Sequence, residues 1–350
     1  MFSIDFRSSQ ENIKAVIRNR DRSTWEVPVF DFIMSWFDPG VDSFPVKTSG
    51  STGTPKMIAH SREAITASAT RTCDFFGVKE GDTALLSLPA THIGGKMMIA
   101  RSLVRKLQLI CTEPKSDPLA ELEYKGQIDF ASFTPMQMSM ILANAASAAR
   151  LSQIKQVILG GGEVPYTLRE HVQDIAPEVY ETYGMTETIS HIALKKLNGP
   201  DRSEYFTALD GVTISFDTRG CLVINAPHLH EGDIVTNDII NIIDEKQFQW
   251  LGRYDNVINT GGIKVYAEEI ERKLQPYISG NFFITGTPDD ILGQQVTLII
   301  EGKENTLLIN EVNAALDKYE KVRRVLPVGK FVYTETGKVN KKETIKQAII

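Results

Sequence analysis

Cysteine is scarce: Cys73, Cys111 and Cys221 are the only three, and they are far apart. They form neither a disulfide framework nor a metal-binding spacing, so a reducing compartment suits the chain. A basic excess is missing too. Lys and Arg number 38 against 44 Asp and Glu, a formal net charge of −6. That argues against a nucleic-acid partner, because phosphate backbones select basic surfaces. No apolar run reaches the ~18 residues of a spanning helix, so no membrane span is expected. The N-terminal stretch "MFSIDFRSSQENIKAVIRNRDR" has no basic start followed by an apolar run and no small-residue cleavage site, which makes the cytoplasm the expected location. Internal repeats and low-complexity segments are absent. The six histidines are scattered, and His228 and His230 lack a third ligand, so no histidine metal site is expected.

What is present is ordinary globular composition, 42% apolar and 23% charged over 350 residues, enough for two domains and a sizeable core. From residue 83 to 183 short apolar runs alternate with helical patterns: "TALLSL", "GGKMMIARSLVRK", "LQLIC", "IDFAS", "MQMSMILANAAS", "IKQVILG", "YTLREHVQDIA" and "EVYETY". Such alternation implies parallel strands joined by crossover helices, an α/β fold. The methionines read as core filler. From about Gly211 short turn-separated strands suggest a small antiparallel sheet or barrel. The tail after Asp255 has an α+β pattern with its own core periodicity. The expected division is therefore a large domain over 1–254 and a small one over 255–350.

Five segments carry chemistry. "TSGSTGTPK" (48–56) offers backbone amides at Gly50 and Gly53, hydroxyls at Thr48, Ser49, Ser51, Thr52 and Thr54, and the charge of Lys56. Such a loop can close on phosphate oxygens, although its composition alone also describes a solvated linker. It follows a strand-like stretch and is expected to precede a helix, and its lysine is placed as in neither a Walker loop nor a dinucleotide fingerprint. "YETYGMTET" (180–188) sets Thr186 and Glu187 beyond a strand's carboxyl end, where open α/β sheets bind ligands. The glutamate suits Mg2+ arriving on a nucleotide phosphate, and Tyr183 beside Gly184 suits stacking on a purine. "LGGGEVP" (159–165) puts glycines directly after a strand, where backbone approaches something flat or anionic, or simply turns. "GDIVTND" and "WLGRYDNVINTGG" supply Asp238, Arg253, Asp255 and the Gly261–Gly262 turn. "TETGKVNKK" presents Lys338 on a glycine turn.

The ordered set resembles the acyl-adenylating superfamily of acyl-CoA synthetases, luciferases and peptide-synthetase adenylation domains, from about Val46 to the C-terminus. Within it "LPATHIGG", "ILGGGEVP" and "YGMTETISHIAL" look most like the o-succinylbenzoate–CoA ligases of menaquinone synthesis. The resemblance implies a large domain of mostly parallel sheets with a small barrel-like part, and a mobile C-terminal lid. It implies two half-reactions. A carboxylic acid attacks MgATP to give an acyl-adenylate and pyrophosphate, and coenzyme A then displaces AMP. On that reading Thr48–Gly53 and Lys56 cradle the β- and γ-phosphates. Glu187 holds Mg2+, with Thr186 beside it in the catalytic set. Tyr183 and Gly184 flank the adenine, and Gly161, Gly162 and Glu163 line it. Asp238 accepts from the ribose hydroxyls with Arg253 nearby. Lys338 bridges the acid and the α-phosphate, Asp255 is the hinge, and Gly261 and Gly262 border the thiol channel.

His92 falls where the superfamily has an aromatic or His beside the acyl pocket. Arg101, nine residues on, stands at the spacing of an Arg in o-succinylbenzoate–CoA ligases and is the candidate partner of the acid's second carboxylate. The bland alternative is an Arg reaching out from its helix to solvent. Three departures stand out. The region before the phosphate loop is short, which leaves the oligomeric state, a homo-oligomer included, open. The usual Thr-Gly-Asp reads Thr236-Asn237-Asp238, and the terminal motif lacks the commoner Arg pair. Two rival functions are an adenylating enzyme that loads a carrier protein and a non-catalytic acyl- or nucleotide-binding homologue. Retention of both Glu187 and Lys338 speaks against the last.

Overall fold

The computed structural model describes residues 1–20, 23–47, 57–302, 308–333 and 339–348. Thr48, Ser49, Gly50, Ser51, Thr52, Gly53, Lys56 and Lys338 lie outside the described residues. The chain divides into two compact units, one of residues 1–214, 224–234 and 244–247, the other of 215–223, 235–243 and 248–350.

The first unit opens with β1 (Phe2–Asp5), α1 (Gln10–Arg18) and α2 (Val27–Trp36), followed by β2 (Ser43–Lys47), β3 (Met57–Ser61) and α3 (Arg62–Phe75). Next come β4 (Thr83–Leu86), α4 (Ile93–Arg105), β5 (Gln108–Cys111), β6 (Ile128–Phe133), α5 (Pro135–Ala143) and α6 (Ala145–Leu151). Then follow β7 (Ile154–Leu159), α7 (Tyr166–His171), β8 (Glu178–Gly184), β9 (His191–Lys196) and β10 (Phe206–Ala208). The sheet runs β1-β5-β4-β6-β7-β8-β9-β10. Its centre, β5-β4-β6-β7-β8, is parallel, and β1 and β9 join it antiparallel. Every residue of β4 is buried, as a parallel strand covered on both faces requires. The core beneath is built from Leu85, Ile110, Phe133, Val157, Leu159 and Ile141.

Three local expectations change. The phosphate-loop motif does not lead straight into a helix: β3 intervenes and pairs antiparallel with β2, Lys47 opposite Met57, so the motif's two flanks are partners. The helix expected over 136–147 is two. Asn144 leaves helical geometry at φ −109° and ψ 111°, and its side chain caps Ala146 N of α6. The Met-rich stretch is core on one stripe only. Met138 is buried, whereas Met136 and Met140 are 64% and 46% exposed.

In the second unit β14 (Gln247–Arg253), β13 (Asp233–Ile242), β12 (Cys221–Asn225) and β11 (Thr213–Phe216) hydrogen-bond in that order. A single 3-10 turn, Tyr254–Asn256, leads to β15 (Val257–Thr260), β16 (Ile263–Tyr266) and α8 (Ala267–Leu274). Then come β17 (Phe282–Asp289), β18 (Gly293–Glu301), α9 (Leu308–Ala314), β19 (Arg324–Val328) and α10 (Lys341–Ala348). The sheet β16-β15-β18-β17, with β19 parallel to β18, packs over Ile258, Ile270, Leu274, Leu298 and Val312, a core separate from the first. The fold is thus α/β with a largely parallel first sheet and a smaller α+β part. Among the described residues no helix is long and apolar enough to cross a membrane.

Helix α4 starts tightly against the turn before it. A Cβ at Gly95 would lie 2.4 Å from the Pro89 carbonyl oxygen, and backbone there has no flexible end to withdraw. Gly95→Ala should therefore cost about 1–3 kcal/mol, the range for forced overpacking. A chemical denaturation midpoint equal to that of the parent would contradict this.

Candidate active site

The carboxyl ends of β4, β7 and β8 lead into three of the segments in which the sequence placed its chemistry: the stretch to His92, the 159–165 glycine loop and the Thr186–Glu187 connection. After β7, Gly160 packs so closely on β8 that a Cβ would meet Thr182 Oγ1 at 2.8 Å, and Gly161 sits at φ +88°. Thr182 Oγ1 donates to the Leu159 carbonyl at 2.9 Å. Gly161, Gly162 and Glu163 are exposed, and a Cβ at Gly162 would meet nothing within 4 Å. The loop presents an open backbone surface.

What holds that loop was not visible in the sequence. Glu181, buried in β8, accepts from Val164 N at 3.3 Å and pairs with Arg169 at 3.2 Å and Lys195 at 2.8 Å. The Lys195 ammonium lies 4.5 Å above the Phe206 ring, and Phe206 meets Tyr183 edge-on at 5.7 Å. One buried carboxylate therefore ties the glycine loop to the strand that carries Tyr183. An acid alternating with aromatics in "YETY" reads as a solvent-facing strand position, which is why it escaped notice.

The β8–β9 connection carries Thr186 and Glu187. At Gly184 a Cβ would stand 2.3 Å from the Ser190 carbonyl oxygen, so only glycine allows the connection to close. Thr188 Oγ1, buried, accepts from Met185 N at 2.9 Å and donates to the Ser190 carbonyl at 2.7 Å. Ile189 has φ 67° and is fully buried. A β-branched residue in the left-handed region is strained, and such strain clusters at functional sites. Glu187, exposed on this loop, borders a cavity of about 330 Å³ whose other walls include His60, Ser61, Ala64, Leu229 and His230. His60 is a residue the sequence reading passed over. It is buried, its Nε2 has no hydrogen-bond partner among the described residues, and burial lowers its pKa against the pull of the Thr186 backbone and the Glu187 charge. Asp233 lines the same cavity, and a carboxylate such as Glu187 beside so roomy a space fits an Mg2+ ion that arrives on phosphate oxygens and keeps several waters. Among the described residues no trio of His, Cys, Asp or Glu is arranged for a resident metal.

Helix α4 brings two further candidates. His92 is its N-cap residue, exposed, with Nδ1 3.0 Å from Thr91 Oγ1. One turn on, Lys96 donates to the Pro45 carbonyl on β2 at 2.7 Å. Arg101 does not reach solvent: it is 1% exposed and among the largest fully buried side chains. Its Nη2 donates to Ser190 Oγ at 2.9 Å, its Nε has no partner, and the guanidinium carbon lies 6.0 Å from the Phe130 ring. No carboxylate pairs with it among the described residues. Burial pulls its pKa down to about 10.

The second unit gathers its own set. Asp238 on β13 lies opposite Arg253 on β14, Nη1 to Oδ1 3.7 Å, and Arg253 Nη2 stands 3.9 Å from Asp255 in the 3-10 turn. Asp238 N donates to Thr236 Oγ1 at 3.0 Å. Asn237, where the superfamily has glycine, accepts from Arg219 Nη1 at 2.9 Å. Gly261 and Gly262 form the two-residue turn of the β15–β16 hairpin, with φ 59° and 80°. Positive φ at both positions is what a type I′ turn demands.

Residues 47–216 match the model of the AMP-binding enzyme family. A solved acyl-CoA synthetase (AMP-forming)/AMP-acid ligase II-like protein from Dyadobacter fermentans is 34% identical, with 99% of each chain covered and a TM-score of 0.67. A curated 2-succinylbenzoate–CoA ligase from Bacillus cereus is 26% identical over 309 residues, 79% of this chain and 64% of the relative. One from Escherichia coli K12 is 25% identical over 75% of this chain and 59% of its own length. The chain thus spans about three fifths of these curated relatives. The Bacillus subtilis o-succinylbenzoate coenzyme A synthetase solved with ATP and magnesium shares the fold at TM-score 0.72 and 19% identity, over 86% of this chain and 69% of that one.

Burial depresses three histidines: His60, His191 (well below the ordinary value) and His228, lowered to about 4. Each is neutral when folded and binds a proton more readily once unfolded. The stability they contribute is present above the unfolded value of about 6.5 and is lost as pH falls toward the depressed values. Glu271, pushed up to about 7 by burial, acts in the opposite sense. Replacing one histidine isolates its share, so His191→Asn should flatten the loss of unfolding free energy between about pH 6.5 and 5. An unchanged pH slope in denaturant titrations would contradict the assignment.

Proposed function

Because the chain belongs to the AMP-binding enzyme family, we propose that it is an AMP-forming acid–CoA ligase of the cytoplasm whose acid keeps a second carboxylate, with o-succinylbenzoate the best fit. The observation that carries the reading is Arg101: a guanidinium 1% exposed, with an unpartnered Nε and, among the described residues, no carboxylate beside it. Leaving a charge buried without a counterion is costly. A dicarboxylic substrate supplies the counterion, and a planar guanidinium receives a carboxylate better than an ammonium does. A simple aryl or fatty acid would leave the cost unrelieved.

In the first half-reaction the reacting carboxylate attacks the α-phosphorus of MgATP. A P–O bond forms and the bond to the pyrophosphate oxygen breaks. An anion approaches a polyanion, so the protein's work is positioning and charge neutralisation. Glu187, with Thr186 beside it, would hold the Mg2+ that comes with ATP and supplies charge neutralisation, and the loop from Thr48 to Lys56 would cradle the departing pyrophosphate. The open glycine loop and Tyr183 take the adenine, Asp238 with Arg253 takes the ribose, and His92 borders the acyl group. In the second half-reaction the CoA thiolate attacks the acyl carbon and AMP leaves. Asp255 acts as hinge between parts 1–254 and 255–350, exchanging Lys338 for the Gly261–Gly262 turn.

The deciding assay adds o-succinylbenzoate and MgATP with and without CoA. The proposal expects acid-dependent pyrophosphate release, and a thioester only when CoA is present. Thioester formation only on a carrier protein would change the acceptor, and no pyrophosphate at all would leave a non-catalytic homologue.

Two substitutions sharpen the test. Arg101→Leu should raise KM for o-succinylbenzoate about ten- to a hundredfold, the loss of a desolvated charge pair worth ~1.5–3 kcal/mol, with KM for ATP nearly unchanged. Normal o-succinylbenzoate affinity would remove Arg101 from the site. Lys338→Ala should abolish adenylate formation while sparing thioester formation from supplied acyl-adenylate. An equal fall in both steps would overturn its role.

A further inference from the structure

Among the described residues Arg101 is held not by an acid but by one end of a hydrogen-bond chain that ends in helix α3. Its Nη2 donates to Ser190 Oγ at 2.9 Å. Ser190 Oγ lies 3.4 Å from His191 Nδ1, and His191 Nε2 lies 3.1 Å from Thr72 Oγ1, which also reaches the Ser68 carbonyl at 3.2 Å. The chain has one direction in which every hydrogen has a place. A carbonyl only accepts, so the Thr72 hydroxyl gives its hydrogen to Ser68. Thr72 Oγ1 must then accept from His191 Nε2–H. That leaves Nδ1 with a bare lone pair, which takes the Ser190 hydroxyl hydrogen, and the Ser190 oxygen is left with its lone pairs toward the guanidinium. The other tautomer would leave the Ser190 hydrogen with no partner among the described hydrogen bonds. Burial and the charge of Arg101 both keep the imidazole neutral.

We propose that His191 is a positioning residue for acid selection: as the Nε2–H tautomer it fixes the Ser190 hydroxyl, and through it aims Arg101 at the second carboxylate of the substrate. The inference rests on the reading of Arg101 as the carboxylate receptor. It adds a reason for the strained connection in front of it. The Met185–Ser190 segment, locked by Gly184 and Thr188, delivers Ser190 to Arg101 and Glu187 to the cavity from the same backbone.

The test compares KM and kcat for o-succinylbenzoate with those for benzoate, a monocarboxylate probe, in parent, His191→Phe, His191→Asn and Ser190→Ala. His191→Phe frees the Ser190 hydroxyl to turn its hydrogen toward the guanidinium. The expected result is a roughly tenfold rise in KM for o-succinylbenzoate, with kcat, the benzoate KM and the ATP KM nearly unchanged. Asn restores an acceptor near the Nδ1 position and should recover most of the affinity. Ser190→Ala, a small change should the Phe variant fold poorly, should show the same selective rise. An equal rise for both acids, or Asn as impaired as Phe, would overturn the positioning role and leave a structural one. Arg101→Leu separates the two levels. If it raises KM for o-succinylbenzoate and the His191 and Ser190 variants do not, this inference alone fails. If Arg101→Leu has no effect, the carboxylate-receptor reading fails and the inference with it.

Discussion

Folding carries the guanidinium of Arg101 out of water and, among the described residues, gives it a serine hydroxyl in place of a counterion. Removing a charge from water without a charged partner costs several kcal/mol even after relaxation, so the surrounding elements must over-determine its position. Helix α4 is pressed onto the Pro89 turn through Gly95, and the β8–β9 connection closes only because position 184 is glycine. Ile189 accepts a left-handed backbone beneath it. These are local costs of the kind that persist where a site is built rather than where a core is merely packed.

The same economy of charge holds the proposed nucleotide side. Glu181 serves the glycine loop through Val164 N and answers both Arg169 and Lys195. Lys195 in turn lies over Phe206, which sets the ring of Tyr183. A fully satisfied buried network rigidifies what it touches. The exposed backbone of Gly161 and Gly162 is thus presented from a stiff base, while Glu187 stands on a separately locked connection beside its cavity. In the second unit the Asp238–Arg253–Asp255 cluster and the Gly261–Gly262 turn come from adjoining strands and turns.

The architecture was legible where hydrophobic period decides structure. Fully buried β4 and the apolar runs of β6 and β7 announced parallel strands, and the doublet Gly261–Gly262 announced a tight turn that the backbone requires. The misreadings have local causes. Asn144 divides a helix because its side chain caps the following one better than it continues the first. Strand β3 was missed because "MIAHS" is short and polar enough to pass as a loop, and its partner lies across the phosphate-loop motif. Arg101 could be placed on a helix from sequence, yet whether it faced solvent or interior depended on which neighbours packed over it. Glu181 and the Ser190–His191–Thr72 chain were not legible at all. Their roles come from strands and helices that meet only in three dimensions, and no period in the sequence marks them.

The central claim is that Arg101 is buried for a carboxylate the substrate brings. A crystal structure with a non-hydrolysable o-succinylbenzoyl-adenylate mimic tests it most directly. The account predicts the free carboxylate of the mimic within about 3 Å of the Arg101 guanidinium, with Ser190 Oγ still on Nη2. A mimic seated in the site with that carboxylate in solvent or on another cation, and Arg101 unchanged, would contradict it.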